Sequence, residues 1–303
     1  MPVYLQSVGG GGGDVQSGFG DATLGSNGAT GRSGRTVLIN TGTLQSNSEF
    51  SPAILHQAIG GGGGSVDSAN GSISIGSQNA VGIQSARAMT LRNEGSLITL
   101  ARYSPVIFAQ SIGGGGGRIA ETSGGDVTIG SIDAASTADL SAGDITITST
   151  GLRLSTKGEY SQALSAQSIG GGGGWVGPIE GDLILGAQNS SAPMNGGSIA
   201  LNNRSVITTS GTTAPAISIQ SIGGGGGYTG QVDGSAQFGS SNSSGSQKAG
   251  NVSLINTGSI ETTGDFSPLI NVQSIGGGGG RAGDIGRDPQ PRLNQFEECL
   301  CRW

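Results

Sequence analysis

Apolar and polar residues alternate in short stretches of this chain, and the same kinds of stretch return along its length. Apolar residues flank one polar residue just before a turn of the type Asn-x-Gly, as in Val252-Ser-Leu254 before Asn256. A second alternating stretch, such as Gly71-Ser-Ile-Ser-Ile-Gly76, lies between two glycines. This period of two is typical of strands with one buried face. With no sustained helical period and no capping signals, the pattern predicts an all-β chain of short strands joined by Gly, Asn, Ser and Pro turns.

The stretches belong to an internal repeat marked by Gln-Ser/Ala-Ile/Val and five glycines. The six glutamines that open these blocks are Gln6, Gln57, Gln110, Gln167, Gln220 and Gln273. Their spacings of 51, 53, 57, 53 and 53 residues are of the size found in solenoids and propellers. The glycine runs account for 30 of the 62 glycines, so the glycine excess is periodic rather than of low complexity.

The repeat favours a right-handed parallel β-helix, or β-solenoid, over a propeller. Propeller blades need bulky residues between their radial sheets, whereas aromatic residues are only 4% of this chain. A solenoid needs only a narrow core of Ile, Leu and Val. We expect about two coils in each repeat of ~53 residues, hence about ten coils and a rod about 45–50 Å long.

Fixed offsets from each glutamine predict which side chains point inward. Apolar residues stand three before the Gln and two after it, as Ile107 and Ile112 do around Gln110. The two apolar residues are thus five positions apart, whereas residues on the same face of a strand are an even number of positions apart. This mismatch predicts a bulge or a corner in the strand. The residues three before the Gln should point inward and stack in every second coil, about 9–10 Å apart. These residues include Ile107, Leu164, Ile217 and Ile270.

Composition and charge disfavour several functional classes. The net charge is −6, and the sequence has no basic cluster that could neutralise the phosphates of a nucleic acid, so nucleic-acid binding is disfavoured. His56 is the only histidine, which makes a histidine-based metal site or catalytic triad improbable. No run of 18 apolar residues is present, so we expect no helical membrane span.

The repeats predict a single solenoid domain over residues 1–286 and an off-pattern tail over residues 287–303. The tail contains two prolines, and we expect it to cap the solenoid loosely or to be disordered. It also contains Cys299 and Cys301, which are too close in sequence for an unstrained disulfide, so we expect their presence to be incidental. The solenoid itself has no cysteine.

The segment Val252 to Gly264, followed by Gln273-Ser-Ile and five glycines, resembles the repeats of bacterial autotransporter passenger domains. The most similar members are long, glycine-rich, adhesin-like surface proteins, and the resemblance extends from residue 1 to about 286. It implies a right-handed parallel β-helix outside the outer membrane of a Gram-negative bacterium, with a secretion signal and a C-terminal membrane barrel. Neither segment is recognised in this chain, so we interpret it as a fragment or a truncated reading frame.

Two chemical interpretations of the glycine runs are weak. Phosphate-binding loops precede a helix and usually contain a lysine, and neither follows these runs. Calcium-binding β-rolls have Gly-Gly-x-Gly-x-Asp in tandem, and here an Asp directly follows a run only at Asp14. The position before the Gly-Ser/Asp strand holds either Asp or Ser, which suits a hydrogen bond at a turn. We expect the missing side chains to let two chain segments approach closely.

Other candidate residues also have a structural interpretation. Asp126, Asp133, Asp139 and Asp144 form the one dense group of carboxylates in the repeats, mainly in predicted loops. His56 occupies an inward position that holds Ala, Ile or Val elsewhere. The aromatic residues before the Ser-Pro corners could stack on a glycan, but corner packing is the favoured role. These aromatic residues are Phe50, Tyr103, Tyr160 and Phe266.

The sequence therefore predicts a structural and adhesive surface-display segment without enzymatic activity, catalytic residues, cofactor or metal. Its expected partners are host or matrix glycans or surfaces, together with end-to-end self-association, and not nucleic acid. The alternatives are a polysaccharide-degrading β-helix enzyme and a glycine-rich, phage-fibre-like adhesin. An enzyme would need an acidic cleft across several coils, whereas a flat face of Ser, Thr and Asn would favour the structural role.

Overall fold

The computed structural model describes residues 1–28 and 30–286, and this part of the chain is all β, with 28 strands and no helix. Every strand pairs in parallel with the equivalent strand of a neighbouring repeat, so that Gln110 lies opposite Gln167. The chain is therefore a parallel β-solenoid, as predicted. The tail over 287–303, with Cys299 and Cys301, lies outside the described residues. The expectation that it caps the solenoid loosely or is disordered therefore stays a prediction.

Each repeat forms one coil, and the prediction of two coils per repeat is wrong. Ile107 lies opposite Leu164, and Leu164 lies opposite Ile217, so equivalent residues of consecutive repeats are direct neighbours. The variable stretch after each glycine run closes no coil of its own, because its strand pairs one whole repeat away. Six strands about 4.8 Å apart span about 24 Å, half the predicted rod length. The inward residues stack as predicted, but in every coil.

Three of the five sheets surround the first core, the larger of the two cores that the sheets enclose. Sheet A, which carries the glutamines, consists of Val3–Val8, Ile54–Ile59, Ile107–Ile112, Leu164–Ile169, Ile217–Ile222 and Ile270–Ile275. Sheet D consists of Thr36–Asn40, Met89–Asn93, Ile145–Ser149, Ile199–Asn203 and Val252–Asn256. Sheet E consists of Leu44–Ser46, Leu97–Thr99, Arg153–Thr156, Val206–Thr209 and Ile260–Thr262. Their inward Ile and Leu side chains form this core.

The other two sheets enclose a second, separate core of Val, Ile and Leu. Sheet B, which begins within each glycine run, consists of Gly12–Val15, Gly63–Asn70, Gly116–Thr122, Gly173–Val176, Gly226–Thr229 and Gly279–Ala282, with the short strand Gly18–Phe19 also paired to it. Sheet C consists of Ala22–Asn27, Ile73–Gln78, Val127–Ile129, Leu183–Leu185 and Ala236–Phe238. The chain of a coil runs through sheets A, B, C, D and E in turn.

The predicted bulge beside the glutamine is absent from the described strands of sheet A. Residues Ile107–Ile112 pair with both neighbouring strands in one continuous register of six residues. All six are buried, because one face covers the first core and the other face is covered by sheet B and by aromatic side chains. The odd spacing between Ile107 and Ile112 therefore reflects a strand that is buried on both faces, not a slip in the pattern.

Candidate functional site

The glycine runs cross the middle of each coil, where they contact the segment that leads from sheet C back to sheet D. We call this crossing the glycine waist, and it consists of residues 9–13, 60–64, 113–117, 170–174, 223–227 and 276–280. In the third run the N–H of Gly114 donates to the carbonyl of Gln84, 3.0 Å away. The hydroxyl of Ser77 donates in turn to the carbonyl of Gly114 at 3.2 Å. The waist thus separates the two cores of a coil by hydrogen-bonded backbone.

No side chain fits in the waist where a neighbouring coil lies against it. Gly115 has a φ of 96°, and a β-carbon there would lie 2.4 Å from the Cα of Gly76. A β-carbon at Gly117 would lie 1.9 Å from the carbonyl oxygen of Gly64 in the preceding coil. Both obstacles are backbone atoms, which cannot rotate away. The expectation that missing side chains permit close approach is confirmed, and the N–H of Gly114 is already bonded rather than free for a phosphate.

The glutamines form a continuous ladder through sheet A. Each Nε2 donates to the Oε1 of the next glutamine, and the chain of bonds runs from Gln6 to Gln57, Gln110, Gln167, Gln220 and Gln273 at 2.7–3.1 Å. The four inner glutamines are buried. An amide can donate to one neighbour and accept from the other, so both polar ends are satisfied away from water. The invariable glutamine of the repeat is thereby explained as a coil-to-coil connection.

The Asp or Ser side chain before sheet C also accepts a hydrogen bond from the next coil, and not within its own turn as the sequence suggested. The Oδ1 of Asp126 accepts from the backbone N–H of Asp182 at 3.0 Å. Asp182 repeats the contact with the N–H of Ser235 at 2.8 Å. At the start of sheet D, Asp144 does the same with the N–H of Ser198 at 2.7 Å. Because these carboxylates satisfy backbone donors, they are occupied by structural bonds.

The four carboxylates singled out from the sequence lie at different points around one coil. Asp126 precedes sheet C and Asp144 precedes sheet D. Asp133 has a φ of 54° at a corner where three other coils place an asparagine, and Asp and Asn tolerate this conformation well. Asp139 accepts a bond from the N–H of Ser141, two residues on. Each of the four is accounted for by a local backbone requirement.

Three of the four aromatic residues before the corners stack on one another, whereas Phe266, separated from Tyr160 by the coil that holds Thr213, is 80% exposed. The ring centroids of Phe50 and Tyr103 are 5.2 Å apart, and those of Tyr103 and Tyr160 are 4.8 Å apart, with nearly parallel planes. All three have φ near 53°, a costly conformation for bulky residues that the stacked corner enforces in each coil. Because Tyr103 has neighbouring rings on both of its faces, corner packing accounts for this ladder.

Arg118 is buried beside the aromatic ladder, on sheet B. Its Nη1 lies 2.8 Å from a carboxylate oxygen of Asp67, and its Nη2 donates to the carbonyl of Phe50. Its guanidinium stacks over the ring of Trp175 at 5.4 Å. Desolvation lowers the pKa of Arg118 from its ordinary value, and Asp67 opposes this shift. The residues that follow the glycine runs, which share no obvious chemistry in the sequence, pack here as one column.

His56 points into the first core and is fully buried. Its Nε2 lies 2.8 Å from the Oγ1 of Thr36, and its Nδ1 has no hydrogen-bond partner. Burial lowers the pKa of His56 to about 4. The imidazole is therefore neutral at pH 7 and is enclosed by aliphatic side chains. The geometry supports the interpretation of a substitution accepted by the core.

Sequence analysis did not single out Arg32, Arg35 and Arg87, which line one surface depression of about 270 Å³. Arg32 and Arg35 lie in the first coil and Arg87 in the second, so their proximity is created by coil stacking. The signal was nevertheless present, because alignment of the repeats on the alternating strand before the Asn-x-Gly turn places Arg87 at a position that is glycine in four other coils.

Similarity to known proteins adds no family assignment. Within the described ranges, no three His, Cys, Asp or Glu side chains are grouped so that they could hold a metal ion. The same residues include no helix long and apolar enough to cross a membrane. No protein-family model, curated protein or solved structure matches the chain.

Proposed function

We propose that the chain is a non-catalytic structural and adhesive segment of a passenger-type protein at the surface of a Gram-negative bacterium. The observation that carries the proposal is the Gln6–Gln273 ladder, together with the Asp and Ser contacts between coils. The buried glutamines and the exposed aspartates both join one coil to the next, which suits a rigid support that extends by repetition. The resemblance of the repeats to glycine-rich autotransporter passengers supports the surface location.

The loops and outer faces of the solenoid would provide adhesion. Thr146 and Thr148 on sheet D, and Thr208 on sheet E, project short polar side chains. Such surfaces bind weakly at one site, but identical neighbours raise the effective concentration. A glycan surface is the expected partner, and the affinity should grow with the number of coils.

Deletion of whole repeats tests this role. Removal of residues 167–219 joins Ala166 to Gln220, which are already consecutive in the register of the repeat, so the shortened chain should keep its fold. A glycan array should then show binding that weakens as repeats are removed, with no release of reducing sugars at any length. The proposal would be overturned in favour of a polysaccharide-degrading enzyme if the parent chain cleaved a glycan and either Asp133→Asn or Asp139→Asn abolished this activity.

A further inference from the structure

A cluster of three arginines in the first two coils interrupts the regularity of the solenoid. Arg32, Arg35 and Arg87 line the 270 Å³ depression, and the small residues Ser85, Ala86 and Ala88 complete its wall. All three arginines are exposed, and none forms an ion pair with a carboxylate of the described residues. In a chain with a net charge of −6, this is a local concentration of unpaired positive charge.

One of the arginines is held in place. The Nε of Arg32 donates to the Oγ of Ser85 at 3.1 Å, which restrains the guanidinium. Its two terminal nitrogens make no bond to the described residues and are left for a ligand. The two terminal nitrogens of a planar guanidinium can bind two oxygens of a carboxylate or a sulfate. Little ordering entropy would then be lost when the anion binds.

Arg87 is present at the expense of a structural hydrogen bond. In the coils that follow, a serine of sheet A accepts from a glycine N–H of the return segment, as Ser111 does from Gly143 at 2.8 Å. In the second coil the equivalent positions hold Ala58 instead of serine and Arg87 instead of glycine, so this bond is lost. The N–H of Arg87 bonds instead to the Oγ of Ser33, at 2.8 Å. Two positions thus depart together from the pattern to admit an arginine side chain.

The nearest carboxylate in the same column does not neutralise the cluster. Arg35, Ala88 and Asp144 occupy equivalent positions in the first, second and third coils. The Oδ1 of Asp144 accepts from the N–H of Ser198 in the following coil, on the side away from Arg35. Asp144 keeps its negative charge, but it forms no ion pair with Arg32, Arg35 or Arg87.

We propose that Arg32, Arg35 and Arg87 form a binding site for the carboxylate or sulfate group of an acidic sugar. The volume is near the low end of the range for small-molecule sites, about 300–1,000 Å³, and suits one sugar unit rather than a large ligand. The wall has no aromatic or large aliphatic side chain, which favours a polar ligand. Three arginines are too few to hold a nucleic acid against the net charge. Among the described coils this site occurs once, so it goes beyond the repeated surface of the proposed scaffold.

Calorimetric titration of the full chain tests the site. The probes are hexagalacturonate for a carboxylate, a sulfated hexasaccharide for a sulfate, and maltohexaose as the uncharged control. We expect one site per chain for at least one acidic probe, weaker binding at higher salt and none for maltohexaose. Arg87→Gly and Arg32→Ser, which install residues found at these positions in other coils, should each weaken binding at least about tenfold.

The matched control is Arg204→Thr, which removes one positive charge at a turn where Thr150 and Thr257 stand in neighbouring coils. Its affinity should stay within about twofold of the parent chain, and urea midpoints should establish that all variants are folded. Absence of binding to both acidic probes would overturn the proposal. So would an equal loss in Arg204→Thr, because binding would then follow net charge alone. Neither result would affect the repeat-deletion test of the scaffold.

Discussion

The Nε2 of Gln110 donates a hydrogen bond of 2.8 Å to the Oε1 of Gln167, between side chains that are both buried. Gln110 also accepts from Gln57 at 2.7 Å, so each inner glutamine has one bond on either side. A buried amide of this kind costs little while both neighbours are present. It becomes costly when one is removed, because the remaining groups have no access to water.

Gln110→Leu should therefore destabilise the chain by about 2–4 kcal/mol. The substitution keeps the approximate volume but leaves the Nε2 of Gln57 and the Oε1 of Gln167 without partners, at about 1–3 kcal/mol each. The matched control is Gln273→Leu at the half-exposed end of the ladder, which breaks only the bond from Gln220. Urea unfolding should show a clearly smaller loss for the control. Equal losses would mean that the ladder contributes nothing specific.

Alanine in the glycine waist should be tolerated only where no coil lies against it. Gly117→Ala places a β-carbon 1.9 Å from the carbonyl oxygen of Gly64, and we expect a loss of about 3–5 kcal/mol or failure to fold. Gly13 occupies the same position of the first run, where a β-carbon would meet nothing within 4 Å. Gly13→Ala should change the free energy of unfolding by no more than about 0.5 kcal/mol. Similar unfolding midpoints for the two variants would contradict this account of the waist.

The strands and their inward columns could be predicted from the sequence, because a fixed offset from each glutamine survives in every repeat. The number of coils could not. About 53 residues can close either two simple coils or one coil with two cores, and the two choices differ at the crossing. At the waist the chain consists of glycines such as Gly114 and Gly115, which have no side chains and therefore no pattern of burial to detect. The strand pairing distinguishes the two arrangements, because Ile107 lies directly opposite Leu164 of the next repeat.

The arginine cluster was missed for a different reason. Arg32 and Arg87 are 55 residues apart in sequence, and the charge totals give no hint of a local patch. With one coil per repeat, Arg35 and Ala88 become direct neighbours, and Arg87 is brought next to them. The signal lay in a comparison of the repeats with one another. In the second repeat, Ala58 and Arg87 together replace the serine and the glycine that form one hydrogen bond in other coils, such as Ser111 and Gly143.

His56 should make the stability of the chain depend on pH. Its pKa is about 4 in the folded state, against about 6.5 for an exposed histidine. Between these values the unfolded chain binds a proton that the folded chain excludes, so this contribution to stability is lost as the pH falls from about 6.5. The full loss, reached near pH 4, is about 3 kcal/mol.

Urea unfolding of the parent chain and of His56→Ala between pH 7 and pH 4 measures this effect. Alanine stands at the same position in the next two coils, at Ala109 and Ala166, so the substitution suits the core. The variant should lose the histidine share of the pH dependence, whatever its stability at pH 7. Parallel pH profiles for the two proteins would show that His56 is not buried in its neutral form.

Ala58 and Arg87 should be energetically coupled. A β-carbon at Gly34, the equivalent of Arg87 in the first coil, would lie 3.1 Å from the Oγ of Ser7, so a serine and a side chain crowd each other at this contact. Ala58→Ser alone should therefore gain little. In the presence of Arg87→Gly, the serine can accept the N–H bond that Ser111 accepts from Gly143 in the next coil.

The double-mutant cycle of Ala58→Ser and Arg87→Gly isolates this bond. Both single changes should be neutral or destabilising, since glycine adds conformational entropy to the unfolded chain and serine places an unpaired hydroxyl at a buried position. The pair should be more stable than the sum of the two by about 1 kcal/mol, the usual net contribution of one buried hydrogen bond. A coupling energy near zero in urea unfolding would mean that the two substitutions in the second coil are unrelated. A positive coupling would establish that the arginine displaced a stabilising contact, which is the cost expected where a regular scaffold has been modified for binding.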